Sequence, residues 1–272
     1  MGTQTPDDPV TTATQGIAIL GKRSSDNTLQ FISSDDYSSL AIALGKDPNL
    51  TAVDKFGKND AVGTSFEEIW AYSSNITYIP NATAETITIA SSGVDTVGNT
   101  GARTVVIEGL DATGAEISET VVLNAAASPT SANQYWRINR AYCVLAGTGG
   151  INANDILFTA STSGVQANIK ALEGQTMKTQ ATIPLGKTGF ISGLFFNMGK
   201  SDDAVVQIQT RKYGESWRTK RELKGYQNHV QLLLPSFIAV DALGDIRMLA
   251  KTGAGGLAVA AGYYYYLEDL PV

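Results

Sequence analysis

From residue 85 to 124 the chain reads ETITIASSGVDTVGNTGARTVVIEGLDATGAEISETVVLN. β-Branched residues fill three short runs, and Gly, Asp and Asn stand between them, which is the local chemistry of antiparallel strands joined by turns. The pattern predicts a strand over 86–90 and a hairpin of 103–110 with 116–123 around Asp111, Ala112, Thr113 and Gly114. Ile117, Val121 and Leu123 share one face of the second arm, yet Glu119 falls on that face too. Either this strand lies at an edge or a bulge shifts its phase.

Similar patterns continue along the chain. Residues 135–146 alternate with period two, with Tyr135, Arg137, Asn139, Ala141 and Cys143 on one side. Further strands are predicted over 155–160 and 165–172. The run 190–198, FISGLFFNM, hardly alternates, so it is expected at the centre of a sheet or buried on both faces. Over 204–213, Ala204, Val206 and Ile208 point one way and Gln207, Gln209 and Arg211 the other, the pattern of a half-buried strand. Strands over 217–223, 230–234 (ended by Pro235), 245–251 and 257–267 complete the series. Ser65 ahead of Glu67 and Glu68 predicts a short helical turn, followed by the apolar anchors Ile69, Trp70 and Tyr72. Sustained helical periodicity is absent. Many short strands punctuated by turns predict a mainly β fold: two antiparallel β-sandwich or jelly-roll-like domains, residues 56–183 and 184–272, preceded by an extended N-terminal arm over 1–55.

Composition narrows the function. With 43% hydrophobic residues in 272, the chain can bury a sizeable core. A net charge of -6 argues against general nucleic-acid binding. A single cysteine, Cys143, allows no internal disulfide. The first residues show no basic-then-apolar signal, and the longest apolar run, 256–267, falls short of the roughly 20 residues of a spanning helix. A soluble chain without a secretion or membrane address is expected.

Motifs of catalysis fail on their spacing. Gly186-Lys187-Thr188 resembles the end of a phosphate-binding loop, but Ala181 stands where the first glycine is required and Pro184 removes an N–H. His229 is the only histidine, and no Gly-x-Ser-x-Gly accompanies it. Asp35-Asp36 and Asp202-Asp203 lack calcium-loop spacing. No catalytic residue, cofactor or metal ligand is therefore assigned, and no enzyme is expected. Candidate interface residues remain. Arg211, Lys212, Arg218, Lys220, Arg221 and Lys224 form the one basic cluster, either a solvated face of two neighbouring strands or a docking face for an acidic subunit. Tyr263, Tyr264, Tyr265 and Tyr266 place two rings on each face of a strand, so one pair is expected to meet another subunit. Trp70 is expected to pack the arm onto the first domain, and Trp217 is a candidate aromatic contact.

The runs DKFGKNDAVGTSFEEIWAYSS, TITIASSGVDTVGNTGARTVVIEGLDATGAEISETVVLN, YWRINRAYCVLAGTGG, TIPLGKTGFI and VVQIQTRKYGESWRTKREL, with the C-terminal strand, resemble a group of tailed-bacteriophage virion structural proteins. The resemblance runs from about residue 54 to the end. It implies a place in a phage particle assembled in the bacterial cytoplasm, a β-rich fold and no enzymatic activity, and it supplies no catalytic residues. The favoured position is a capsid decoration (cement) protein, a homotrimer bridging subunits of the major capsid protein. The alternatives are a neck or tail adaptor, a fibre-attachment protein, and a receptor- or glycan-binding module using Trp217 and the tyrosines.

Overall fold

A computed structural model of the chain describes residues 19–22, 29–32, 50–72, 75–199, 203–226 and 229–270. Two compact units divide it, Met1–Pro48 and Asn49–Val272. In the first, β1 (Ile19–Lys22) pairs antiparallel with β2 (Leu29–Ile32). The rest of the expected arm up to residue 49 lies outside the described residues.

The second unit opens with β3 (Leu50–Val62), β4 (Glu67–Glu68), β5 (Glu85–Ala90), β6 (Ala102–Leu110), β7 (Glu116–Val122), β8 (Thr130–Tyr135) and β9 (Arg137–Ala146). Then come β10 (Ile156–Ala160), β11 (Gly164–Ile169), β12 (Ala181–Thr182), β13 (Lys187–Met198), β14 (Asp203–Arg211), β15 (Arg218–Tyr226), β16 (Val230–Val240), β17 (Asp245–Thr252) and β18 (Leu257–Asp269). Every strand pairing is antiparallel, and no helix occurs among the described residues.

Two hydrophobic cores form, each drawn from two sheets. The first joins the sheet β11-β10-β5-β8 to β7-β6-β9 through Ile87, Ile89, Phe158, Val105, Ile107 and Tyr135. The second joins β16-β13-β18-β3 to β12-β17-β14-β15, with β4 paired to β17, through Ile191, Phe196, Val206, Met248 and Tyr263. Alternation explains who goes inside: in β14, Ala204, Val206 and Ile208 are buried, and Asp203, Val205, Gln207 and Gln209 between and beside them are half-buried. β13, which hardly alternates, lies between β16 and β18, as a central strand should.

The hairpin of β6 and β7 forms in unbroken register, from Thr104 opposite Val122 to Leu110 opposite Glu116. Asp111 organises its turn, accepting N–H bonds from Thr113 (2.8 Å) and Ala115 (3.1 Å). Gly114 takes φ 85°, a conformation that side chains resist. Of the two explanations for Glu119, the edge holds. Among the described residues β7 pairs only with β6, and the Glu119 carboxylate accepts the N–H groups of Ala132 (2.7 Å) and Asn133 (2.8 Å).

Four local expectations are corrected. Residues 50–55, expected within the arm, open β3, which pairs with β18 nearly two hundred residues later. The helical turn after Ser65 is instead β4, whose Glu68 and Glu67 pair with Leu249 and Ala250. The run 135–146 is not one strand. The chain leaves β8 at Tyr135 and enters β9 of the other sheet at Arg137, so Tyr135, Trp136, Arg137 and Ile138 are all buried at the corner. Finally, Pro235 does not end its strand. β16 runs on to Val240, because it is an edge strand and Pro235 falls where its register with β13 shifts.

Candidate functional site

The strongest side-chain chemistry lies where the two cores meet. Arg137 of β9 binds Asp245 of β17 at two points, Nε to Oδ1 at 3.1 Å and Nη2 to Oδ2 at 3.2 Å. Arg211 reaches the same carboxylate at 2.6 Å, and the Thr182 hydroxyl donates to it. Aromatic rings interleave with these cations. The Arg137 guanidinium lies 4.2 Å from the Trp136 ring and 5.1 Å from Tyr78, and Arg211 lies 4.6 Å from Tyr78 and 4.5 Å from Trp217. Arg247 covers Trp217 at 4.1 Å and pairs with Glu68 at 3.2 Å. Glu68 is buried and also accepts the Ile76 N–H (2.7 Å) and the Tyr78 hydroxyl (2.9 Å).

This ladder sets the local titration. Burial pushes Asp245 up, but Arg137 and Arg211 outweigh it and hold the carboxyl below its ordinary range. Burial, with Glu68 and Asp245 beside it, pushes Tyr78 well above an ordinary tyrosine. Lys178 donates to the carbonyls of Ile138 (2.8 Å) and Gln166 (2.9 Å), and burial with Arg137 nearby lowers its pKa to about 7. Each charged group of the ladder already has a partner within the chain, so the cluster is an internal lock between the cores.

The expected interface residues therefore separate. Trp70 is buried, its ring tilted against Tyr72 at 5.2 Å and its backbone bridged to Lys178, and presents no surface. Arg211 and the Trp217 ring belong to the ladder. Within the basic cluster, Lys212 pairs with Asp241 (2.7 Å), Arg218 with Glu215 (2.7 Å) and Lys224 with Asp203 (2.8 Å), while the Arg221 guanidinium donates to the Lys220 carbonyl. The tyrosines alternate as expected. Tyr263 and Tyr265 are buried, the Tyr263 hydroxyl donating to Thr179 O at 2.9 Å, and Tyr264 and Tyr266 are half-buried on the opposite face. Lys187 of the phosphate-loop look-alike pairs with Glu116 at 3.0 Å. Burial raises the Cys143 thiol to about 11, the setting of an inert cysteine.

Two features face solvent. The outer face of β16-β13-β18-β3 is aromatic: the Phe195 ring lies tilted with its centroid 5.4 Å from that of Tyr264, and Phe237 likewise 6.1 Å from Tyr266. Gly262 and Gly193 leave room for the Phe195 and Tyr264 rings, since a Cβ at Gly262 would stand 2.5 Å from the Phe195 ring and one at Gly193 3.2 Å from Tyr264. Leu233 and Phe237 on the edge strand are 71% and 57% exposed. The sequence points to Tyr264 and Tyr266 on this face but not to Phe237, which lies beyond Pro235, nor to Leu233, which sits in the continuous apolar run Leu232–Leu234 where alternation marks no face. The second feature is a cleft of about 670 Å³ between β3 and the sheet β7-β6-β9, lined by Lys55, Glu108, Glu116, Asn139, Arg140 and Tyr265 among others. No spacing rule pointed to it, since its walls come from distant strands. Among the described residues, no group of three or more His, Cys, Asp or Glu is placed to hold a metal ion.

No protein-family model matches the chain, and no curated protein matches it. Among solved structures, TmCBM61 in complex with β-1,4-galactotriose overlaps 34% of this chain at 15% identity and TM-score 0.20; the chain spans 59% of that protein's length. The D431N mutant VP2 protein of infectious bursal disease virus, in derived T=1 particles, overlaps 81% of this chain and 70% of its own at 8% identity and TM-score 0.21. The Gx strain of that virus overlaps 82% and 77% at 9% identity and TM-score 0.19. Scores of this size fix neither a shared fold nor a shared function.

Proposed function

We propose that the protein is a non-enzymatic structural subunit of a phage particle, a capsid decoration protein that sits as a homotrimer over junctions of the shell and clamps neighbouring capsid subunits. In this reading the two double-layered cores are sandwich or jelly-roll-like modules, and the ladder of Arg137, Arg211 and Arg247 keeps them aligned under load. One observation carries the reading: the outer face of β16-β13-β18-β3, where Phe195, Leu233, Phe237, Tyr264 and Tyr266 put apolar surface into solvent. Apolar patches of that kind on a soluble chain mark places that another subunit covers. Further copies of the chain are the occupants: around a threefold axis each copy's apolar face packs against the next copy. The virion sequence resemblance supplies the setting.

Sedimentation equilibrium tests it. The purified chain is expected at about three times its monomer mass, and the double substitution Leu233→Asp with Phe237→Asp is expected to return it to the monomer. A wild-type chain that stays monomeric at high micromolar concentration would defeat the self-assembly reading.

A further inference from the structure

The backbone from Lys178 to Thr182 runs from contacts with one core to a strand of the other. At its start, Lys178 donates to the carbonyls of Ile138 in β9 (2.8 Å) and Gln166 in β11 (2.9 Å). At its end, Ala181 and Thr182 form β12, opposite Ile246 and Asp245 of β17. Side chains two apart on an extended segment leave on the same side. Lys178, Gln180 and Thr182 accordingly line one small void, while the Thr179 hydroxyl donates elsewhere, to Ile69 O at 3.0 Å. Arg137, Asn139 and Gln166 line the same void. It measures about 10 Å³, close to the least that admits a single water molecule. Arg137, Gln166, Lys178, Gln180 and Thr182 on its wall are each at most 5% exposed.

Most polar groups on this wall are engaged. Arg137 binds Asp245, and the Thr182 hydroxyl donates to the same carboxylate. The Asn139 amide exchanges two bonds with the Thr182 backbone, each 2.9 Å, and the Gln166 amide donates to Thr77 O at 2.9 Å. Gln180 is the exception. It is buried, and among the described residues neither its Nε2 nor its Oε1 has a hydrogen-bond partner. Turning the amide over only exchanges the two atoms and leaves both wanting. A buried amide in that state is costly.

The unmet groups select the ligand. Gln180 offers a donor and an acceptor together, so a cation would answer only the oxygen and an anion only the nitrogen. Water answers both, since an amide's oxygen and the N–H beside it face the same way and one water can close a ring with the two. Lys178 adds a third point. Two of its bonds go to carbonyls, which leaves one position on Nζ. With a pKa of about 7 that position is an N–H in one protonation state and a lone pair in the other. Water can accept from the first and donate to the second; an anion serves only the first.

We propose that this void is a hydration site, in which one internal water bridges the Gln180 amide to Lys178 Nζ and is a fixed member of the joint between the cores. The site lies beside the arginine ladder, away from the aromatic outer face, and does not depend on the self-assembly reading.

A crystal structure of the full chain at about 1.5 Å resolution tests it. Crystals grown in potassium chloride and measured at long wavelength would reveal either ion by its anomalous scattering, which water lacks. One peak without anomalous signal is expected, about 2.7–3.2 Å from Gln180 Nε2 or Oε1 and from Lys178 Nζ. A void with no peak, an anomalous peak there, or a Gln180 amide paired to protein groups would each overturn the proposal. In solution, oxygen-17 relaxation dispersion counts long-lived internal waters. Gln180→Met keeps the length of the side chain without its polar atoms, and is expected to lower the count by about one. An unchanged count in the folded variant would overturn the proposal, and the crystal structure decides it should that variant fail to fold.

Discussion

Arg137 and Asp245 lie 108 positions apart in sequence and meet as a two-point ion pair with side chains only 6% and 5% exposed. Arg137 comes from a strand of the first core and Asp245 from a strand of the second, so the pair fastens one core to the other. A buried pair adds little over a well-packed apolar replacement, but breaking it strands a charge in a place water cannot reach.

Asp245→Ala is expected to cost about 3–5 kcal/mol, because it leaves both Arg137 and Arg211 without their carboxylate. Arg137→Met is expected to cost less, since Asp245 keeps Arg211. Denaturant unfolding of the two variants checks the order. Acid acts on the same contact. The folded state holds Asp245 below its ordinary pKa of 3.8, so its contribution is present above that pH and fades as the pH falls through the lower folded value.

Alkaline pH is expected to act through Lys178. In the unfolded chain this lysine keeps its proton to about 10.5, and in the folded chain it releases it near 7. Between those values unfolding takes up a proton, so stability rises with pH, by at most about 1.4 kcal/mol per unit. Above about 10 the trend reverses. Tyr78, Tyr263 and Tyr265 stay protonated in the fold after their unfolded counterparts ionise, which favours the unfolded chain. Melting temperatures across pH 7 to 11 are expected to trace that dome, and Lys178→Met is expected to flatten its rising side.

The Asp111–Gly114 turn is another point where the halves touch. Leu185 donates its N–H to Gly114 O at 2.8 Å, and a Cβ at Gly114 would fall 2.0 Å from the Leu243 side chain. Gly114→Ala combines that collision with a left-handed φ, so a loss of about 2 kcal/mol or more is expected. Gly150→Ala, at a turn glycine with φ 73° and open space around it, is the control and is expected to cost only about 1 kcal/mol. Equal losses would show that the turn does not dock.

What was legible in the sequence follows from range. The β6–β7 hairpin and β14 were plain because a half-buried strand alternates and a tight turn needs glycine at one position, both local signals. The same logic placed Tyr263 and Tyr265 on one face and Tyr264 and Tyr266 on the other. β3 was missed because its partner β18 lies almost two hundred residues away and its own run, LTAVDKFGKNDAV, is too polar to mark a strand. The ladder was invisible for a related reason: Tyr78, Arg137, Trp217 and Arg247 sit on separate segments, and nothing local distinguishes a stacked arginine from a solvated one. Arg211 was placed on the polar face of β14 correctly, but that face is covered there by Tyr78 and Trp217. The cleft is likewise a product of strands brought together only in the fold.

The central claim, a decoration subunit of a phage shell, is tested most directly by counting. Quantitative mass spectrometry of purified particles, with the major capsid protein as internal standard, gives the copies of this chain per particle. A decoration protein is predicted at a copy number comparable to that of the capsid protein, following the shell's own symmetry. A count of about a dozen or fewer, the number of a ring at a single vertex, or no copies at all, would contradict it.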